Sequence, residues 1–246
     1  MSICKLVLVA AVMAGSASAL SAQPRPSDPS PADTAGSPAE RKMAIAKKKI
    51  DRDPKQYHGY NELALALTQR ARETADPVFY QQADEALRTS LSLAPDNFEA
   101  LKVRTWSLLG QHRFAAALEL ATSLNRKVPD DLMVYGMLTD ANIELGQYED
   151  AEKAAQWMLN LRPGNIPALT RAAYLRELFG DVEGAIELME AAFGRMPYQE
   201  TEDRAWVLTQ IGHLELIRKQ PAAAERALEQ ALGLYPDYHY ALGALA

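Results

Sequence analysis

Residues 135–163 read YGMLTDANIELGQYEDAEKAAQWMLNLRP, and this stretch decides the fold. Tyr135, Leu138, Ile143 and Leu145 recur at helical spacing before Gly146-Gln147-Tyr148 interrupts the pattern. From Glu149 a second helical run places Ala151, Ala155 and Met158 at i, i+4 and i+7, one apolar face, until Pro163 ends it. A glycine at the break can take the left-handed backbone that closes a helix. One unit is therefore helix, short turn, helix, proline.

The unit repeats to either side. Pro54, Pro95, Pro129, Pro163, Pro197 and Pro236 each end a helical pattern, at intervals of 41, 34, 34, 34 and 39 residues. Ala83, Ala117, Ala151, Ala185 and Ala224 each stand 12 residues ahead of their proline, where a small side chain lets two helices approach. Leu87, Ala121, Ala155, Met189 and Leu228 follow four residues later. Gly180-Asp181-Val182 repeats the turn one unit on, and Gln111 to Phe114 is a variant whose glycine, Gly110, is shifted by two places. Two intervals exceed 34, which puts extra residues at Arg72 to Tyr80, between the first unit's helices, and at Tyr198 to Asp203, between units. Insertions in stacked repeats map to surface loops, so both are candidate contact loops.

This pattern resembles the tetratricopeptide repeat, most closely in the unit with Tyr135, Leu138, Asn142, Gly146, Tyr148, Ala151, Ala155 and Pro163. The resemblance covers residues 54–246 and implies an all-α protein, a right-handed α-α superhelical solenoid of helix-turn-helix units. The units fall at about 57–97, 98–131, 132–165, 166–199 and 205–238, with a partial one at 239–246. Residues 39–53 read as an N-terminal capping helix, and 239–246 as a first helix that stops short, as in a frayed last unit or a fragment.

Stacked units of this family expose a concave wall lined by their first helices, and the resemblance implies that it receives a protein or peptide partner. Counting by position, the wall residues are Lys102, Val103 and Trp106, then Met137 and Asp140, then Arg171 and Tyr174, and last Trp206, Gln210 and His213. Aromatic, methionine and arginine side chains are the types that dominate binding interfaces. The family's clamp for a terminal carboxylate needs lysine and then asparagine four residues later; Lys102 meets the first requirement and Trp106 fails the second.

The N-terminus carries Lys5, an apolar run from Leu6 to Ala14 and the small residues Ala17, Ser18 and Ala19, the layout of a secretory signal over residues 1–19. The apolar stretch is short of the ~20 residues that a spanning helix needs. The chain is thus expected to be exported to the periplasm or outside the cell, with no membrane span once the signal is removed. Residues 20–38, with prolines at 24, 26, 29, 31 and 38, read as a disordered linker. Cys4 lies within the signal, so the processed chain has no thiol for a disulfide, a nucleophile or a metal.

A composition of 48% hydrophobic and 24% charged residues fits a folded domain, and a formal charge of -6 argues against nucleic acid as a partner. The basic run Lys47-Lys48-Lys49 is flanked by Asp51 and Asp53 and reads as a solvated helix end. Phosphate loops, HExxH and Gly-x-Ser-x-Gly turns do not occur. The histidines 58, 112, 213 and 239 lack ligand spacing, and Asp130-Asp131, Glu149-Asp150 and Asp181-Glu183 all lie where helices begin. The reading is therefore a non-catalytic scaffold or adaptor with no cofactor and no metal. The alternatives are a docking or targeting module of a larger exported enzyme or envelope complex, and a protein that stacks carbohydrate on groove aromatics.

Overall fold

The computed structural model describes residues 36–246, so the signal at 1–19 and nearly all of the linker at 20–38 lie outside the described residues. Those described form twelve helices. Helix α1 (Pro38–Arg52) packs on α2 (Tyr57–Thr74), and antiparallel pairs follow: α2 with α3 (Val78–Leu93), α4 (Phe98–Gly110) with α5 (Phe114–Lys127), and α6 (Leu132–Glu144) with α7 (Tyr148–Leu161). The array continues with α8 (Ile166–Leu178) and α9 (Val182–Phe193), α10 (Thr201–Ile217) and α11 (Pro221–Leu234), and ends on α12 (His239–Leu245). It is a right-handed superhelical solenoid of helix-turn-helix units.

Local chemistry sets each boundary. Asn97, Asp131 and Asn165, each two residues past its proline, accept a hydrogen bond from the backbone N–H three residues on and so start α4, α6 and α8. Asp181 caps α9 in the same way. These caps account for two of the paired carboxylates; Glu149 and Asp150 lie in the first turn of α7, where the helix dipole favours negative charge. Ala83, Ala117, Ala151 and Ala185 are fully buried, and Leu87, Met158, Met189 and Leu228 pack into the same helix seams.

The turn inside the units recurs with one hydrogen-bond pattern. The N–H groups of Arg113, Gln147, Asp181 and Gln220 donate to the carbonyls five residues back, and the residue before each is left-handed: His112, Gly146, Gly180 and Lys219. The shifted glycine of the second unit therefore has another role. His112 takes the left-handed position at φ 56°, while Gly110 ends α4 directly against the Tyr80 hydroxyl, which leaves no room for a Cβ.

The two insertions are not loops in the main. The first lengthens α2 to 18 residues before the left-handed Ala75, and the second starts α10 early and lengthens it to 17, against 13 for α4, α6 and α8. Each added turn ends where the other can be reached. Arg72 of α2 pairs with Glu202 and, at 2.5 Å, with Asp203 of α10, and Lys42 of α1 lies 3.7 Å from Glu200. Gly36, Ser37, Pro38 and Arg41 also share a recess with Thr201 and Leu234 to Pro236. The first unit thereby closes on the last.

Candidate functional site

Side chains at the predicted groove positions are bonded from unit to unit along the first helices. The Lys102 ammonium donates to Asp131 at the start of α6 and meets Glu99, both at 2.9 Å. Burial opposes its charge, but these carboxylates outweigh it and hold Lys102 above the usual lysine range. On α8, Arg171 donates through Nη2 to Asp140 at 2.5 Å and through Nε to the Gly136 carbonyl at 3.0 Å. Gly136 permits this approach, since an added Cβ would stand 2.9 Å from the guanidinium carbon. On α10, His213 Nε2 lies 3.0 Å from Glu177 Oε1 of α8.

The remaining candidates divide by exposure. Met137 is buried, 3% exposed, so it belongs to the core and offers no surface to a partner; Val103 is buried as well. Trp206 and Gln210 are half-buried, Trp206 against the core of the last units. Tyr174 and His213 reach solvent. Burial, and then the nearby Glu144 and Glu177, push the Tyr174 phenol above its ordinary range. Asp140, Arg171, Tyr174 and His213 thus form one connected surface over α6, α8 and α10. Trp106 stands apart from it, half-buried, with the Arg72 guanidinium 5.9 Å from its ring.

Residue-by-residue reasoning missed this second centre. Glu202 is 1% exposed and takes the Arg72 guanidinium on one side and the Tyr238 hydroxyl, at 3.0 Å, on the other. Tyr238 occupies the position that Asn97, Asp131 and Asn165 fill elsewhere, and instead of capping its helix it is fully buried. Burial raises the Glu202 carboxyl above the usual carboxylate range, with Arg72 opposing, and raises the Tyr238 phenol likewise. Arg72 remains a cation: burial works against it, and Glu202 and Asp203 prevail. The signal available in the sequence was the pair of broken intervals, each of which contributes one side of the contact.

Outside these centres, a recess of about 320 Å³ on the third unit is lined by Tyr135, Leu138, Asn142 and Trp157 among others, with the Tyr135 and Trp157 rings 6.0 Å apart. Among the described residues no three His, Cys, Asp or Glu side chains converge as metal ligands, and no helix is long and apolar enough to cross a membrane.

Solved structures share this architecture. A chain of the APC/C hetero-tetramer Cut9-Hcn1 superposes with a TM-score of 0.67 at 17% identity, over 85% of this chain and 39% of that one. The fold is a tetratricopeptide-repeat solenoid. A thermophilic tetratricopeptide protein of Thermus thermophilus matches at 0.63 with 20% identity, over 75% of this chain and 98% of its own. PilW, a type IV pilus biogenesis factor, matches at 0.52 with 18% identity, over 85% and 91%. The chain therefore spans under half the length of the Cut9-Hcn1 chain and nearly all of the other two. No family model and no curated protein matches it.

Proposed function

We propose that the protein is a non-catalytic interaction scaffold or adaptor that receives a protein or peptide partner on the concave face of its repeat superhelix. The observation that carries this reading is the wall over α6, α8 and α10, where Arg171 and His213 are already held by Asp140 and Glu177. A wall whose side chains are ordered before binding loses less entropy when a partner arrives. Tyr174, exposed beside these charges, supplies contact area together with a hydroxyl. Export is part of the proposal and rests on the layout of Lys5, the run Leu6 to Ala14 and Ala17 to Ala19.

The test is a capture from envelope and periplasmic fractions with the wild-type chain beside a Tyr174→Ala, His213→Ala double variant. A protein retained by the first and lost from the second supports the groove reading, and equal capture by both refutes it. Cell fractionation with an antibody against the chain tests export, which recovery in the cytoplasm at full length would contradict.

A further inference from the structure

At the edge that carries the intra-unit turns, the third and fourth units leave apolar side chains uncovered. Leu145, Tyr148, Leu178 and Phe179 are exposed, Phe179 to 61%, and the Tyr148 and Phe179 rings meet edge to face across the two units at 6.2 Å. Single exposed apolar residues need no explanation, but four gathered at one edge mark a contact surface. This edge is also negative. Segments 144–150 and 174–183 hold six carboxylates, of which Asp150 pairs with Lys153 at 2.9 Å, Asp181 with Arg176 at 3.1 Å and Glu183 with Arg218 at 3.9 Å, while His213 meets Glu177. Glu144 and Glu149 are exposed, and neither makes a salt bridge among the described residues.

The complementary chemistry lies on α1. That helix buries Pro38, Ala39 and Ala46 against the array, and Ile45, Lys48 and Arg52 follow one another at spacings of three and four along another face. Ile45 is 54% exposed. Lys42 and Lys49 are engaged by Glu200 and Glu62, whereas Lys48 and Arg52 are exposed with no salt bridge among the described residues. An exposed isoleucine followed by two cations suits an apolar, aromatic surface beside carboxylates, since ring faces attract cations and Ile45 finds apolar cover. The acidic edge would repel an anionic membrane or a nucleic acid, and two such edges face to face would oppose their carboxylates.

We propose that α1 of one copy docks on the third- and fourth-unit edge of a second copy. Such a contact joins unlike surfaces, so it propagates copies head to tail unless the rotation closes a ring. The surfaces are small and their charges exposed, which makes the association weak and sensitive to salt. This docking does not depend on the adaptor reading above.

The experiment is analytical ultracentrifugation of the full chain over a concentration series at low and high salt, with two reversal variants: Lys48→Glu with Arg52→Glu, and Glu144→Lys with Glu149→Lys. Circular dichroism confirms that each is folded. The wild type should associate with rising concentration at low salt and dissociate at high salt. Each variant alone should associate at least tenfold more weakly, and mixing the two should restore a complex, because each supplies the surface that the other can accept. A wild type that stays monomeric throughout overturns the proposal, as does association that both reversals leave unchanged, which would place it elsewhere, the first 35 residues included.

Discussion

Arg72 and Asp203 are 131 residues apart in the chain, yet their side chains meet at 2.5 Å. Each belongs to one of the two stretches that break the 34-residue interval, so the interruptions of the repeat are the parts that touch. Arg72 also reaches buried Glu202 and lies over the Trp106 ring, which links α2, α4 and α10 through one guanidinium. The predicted groove residue Trp106 thereby faces the protein's own cation.

Removing that cation leaves Glu202 buried beside Tyr238 without its counter-charge. Replacing Arg72 with alanine is expected to cost about 3 kcal/mol, the low end for breaking a buried pair, because 29% of the Arg72 side chain still meets solvent. Denaturant melts measure the loss. Small-angle scattering should show a larger radius of gyration as the first unit leaves the last; an unchanged radius would mean that other contacts hold them together.

The pH dependence of the same centre has a definite sign. Burial holds the folded Glu202 carboxyl above its unfolded value, so protonation favours the folded state, and this contribution declines as pH rises through the raised value. Glutamine mimics the protonated form: its amide oxygen can accept from Arg72 while its N–H donates to the Tyr238 hydroxyl oxygen. Glu202→Gln should therefore gain in stability relative to wild type as pH rises from 4.5, the ordinary carboxyl value, toward neutrality. A relative loss over that range would show that Arg72 outweighs burial.

Gly212 on α10 faces Leu228 on α11, and an added Cβ would lie 2.8 Å from the leucine Cγ. Leu228 is almost fully buried and has little room to yield. Gly212→Ala should cost about 1–3 kcal/mol, the usual range for overpacking, read from the shift in the urea midpoint at unchanged slope.

Lys219 fills the left-handed turn position of the fifth unit at φ 59°, where the third and fourth units use Gly146 and Gly180. Its side chain is exposed and makes no salt bridge among the described residues. Relief of the left-handed backbone exceeds the added entropy of the unfolded glycine, so Lys219→Gly should raise stability by about 0.5–1 kcal/mol. Gly180→Ala should lower it by a similar amount, and thermal melts of the two variants should move in opposite directions.

Much of this architecture was legible in residue order. Asn97, Asp131 and Asn165 cap helices wherever they recur, and alanines 34 residues apart fall in tight helix seams, because caps and seams are settled within one unit and its neighbour. The groove positions were assigned from the repeat spacing alone. Which of these residues reach solvent depends on partners one unit away: Asp131 and Glu99 engage Lys102, Asp140 takes Arg171, and Met137 turns into the core.

By itself, the sequence determined the helical pairs, their order and the solenoid they build, since each follows from short-range periodicity, proline stops and capping side chains. Tertiary structure alone decided that the first unit meets the last. That contact depends on the curvature accumulated over all the units between α2 and α10 and on two longer helices whose ends reach far enough to pair. Such a sum of small rotations has no local signature, and so Arg72, Glu202 and Tyr238 carry no recognisable motif in the chain yet share one buried centre in the fold.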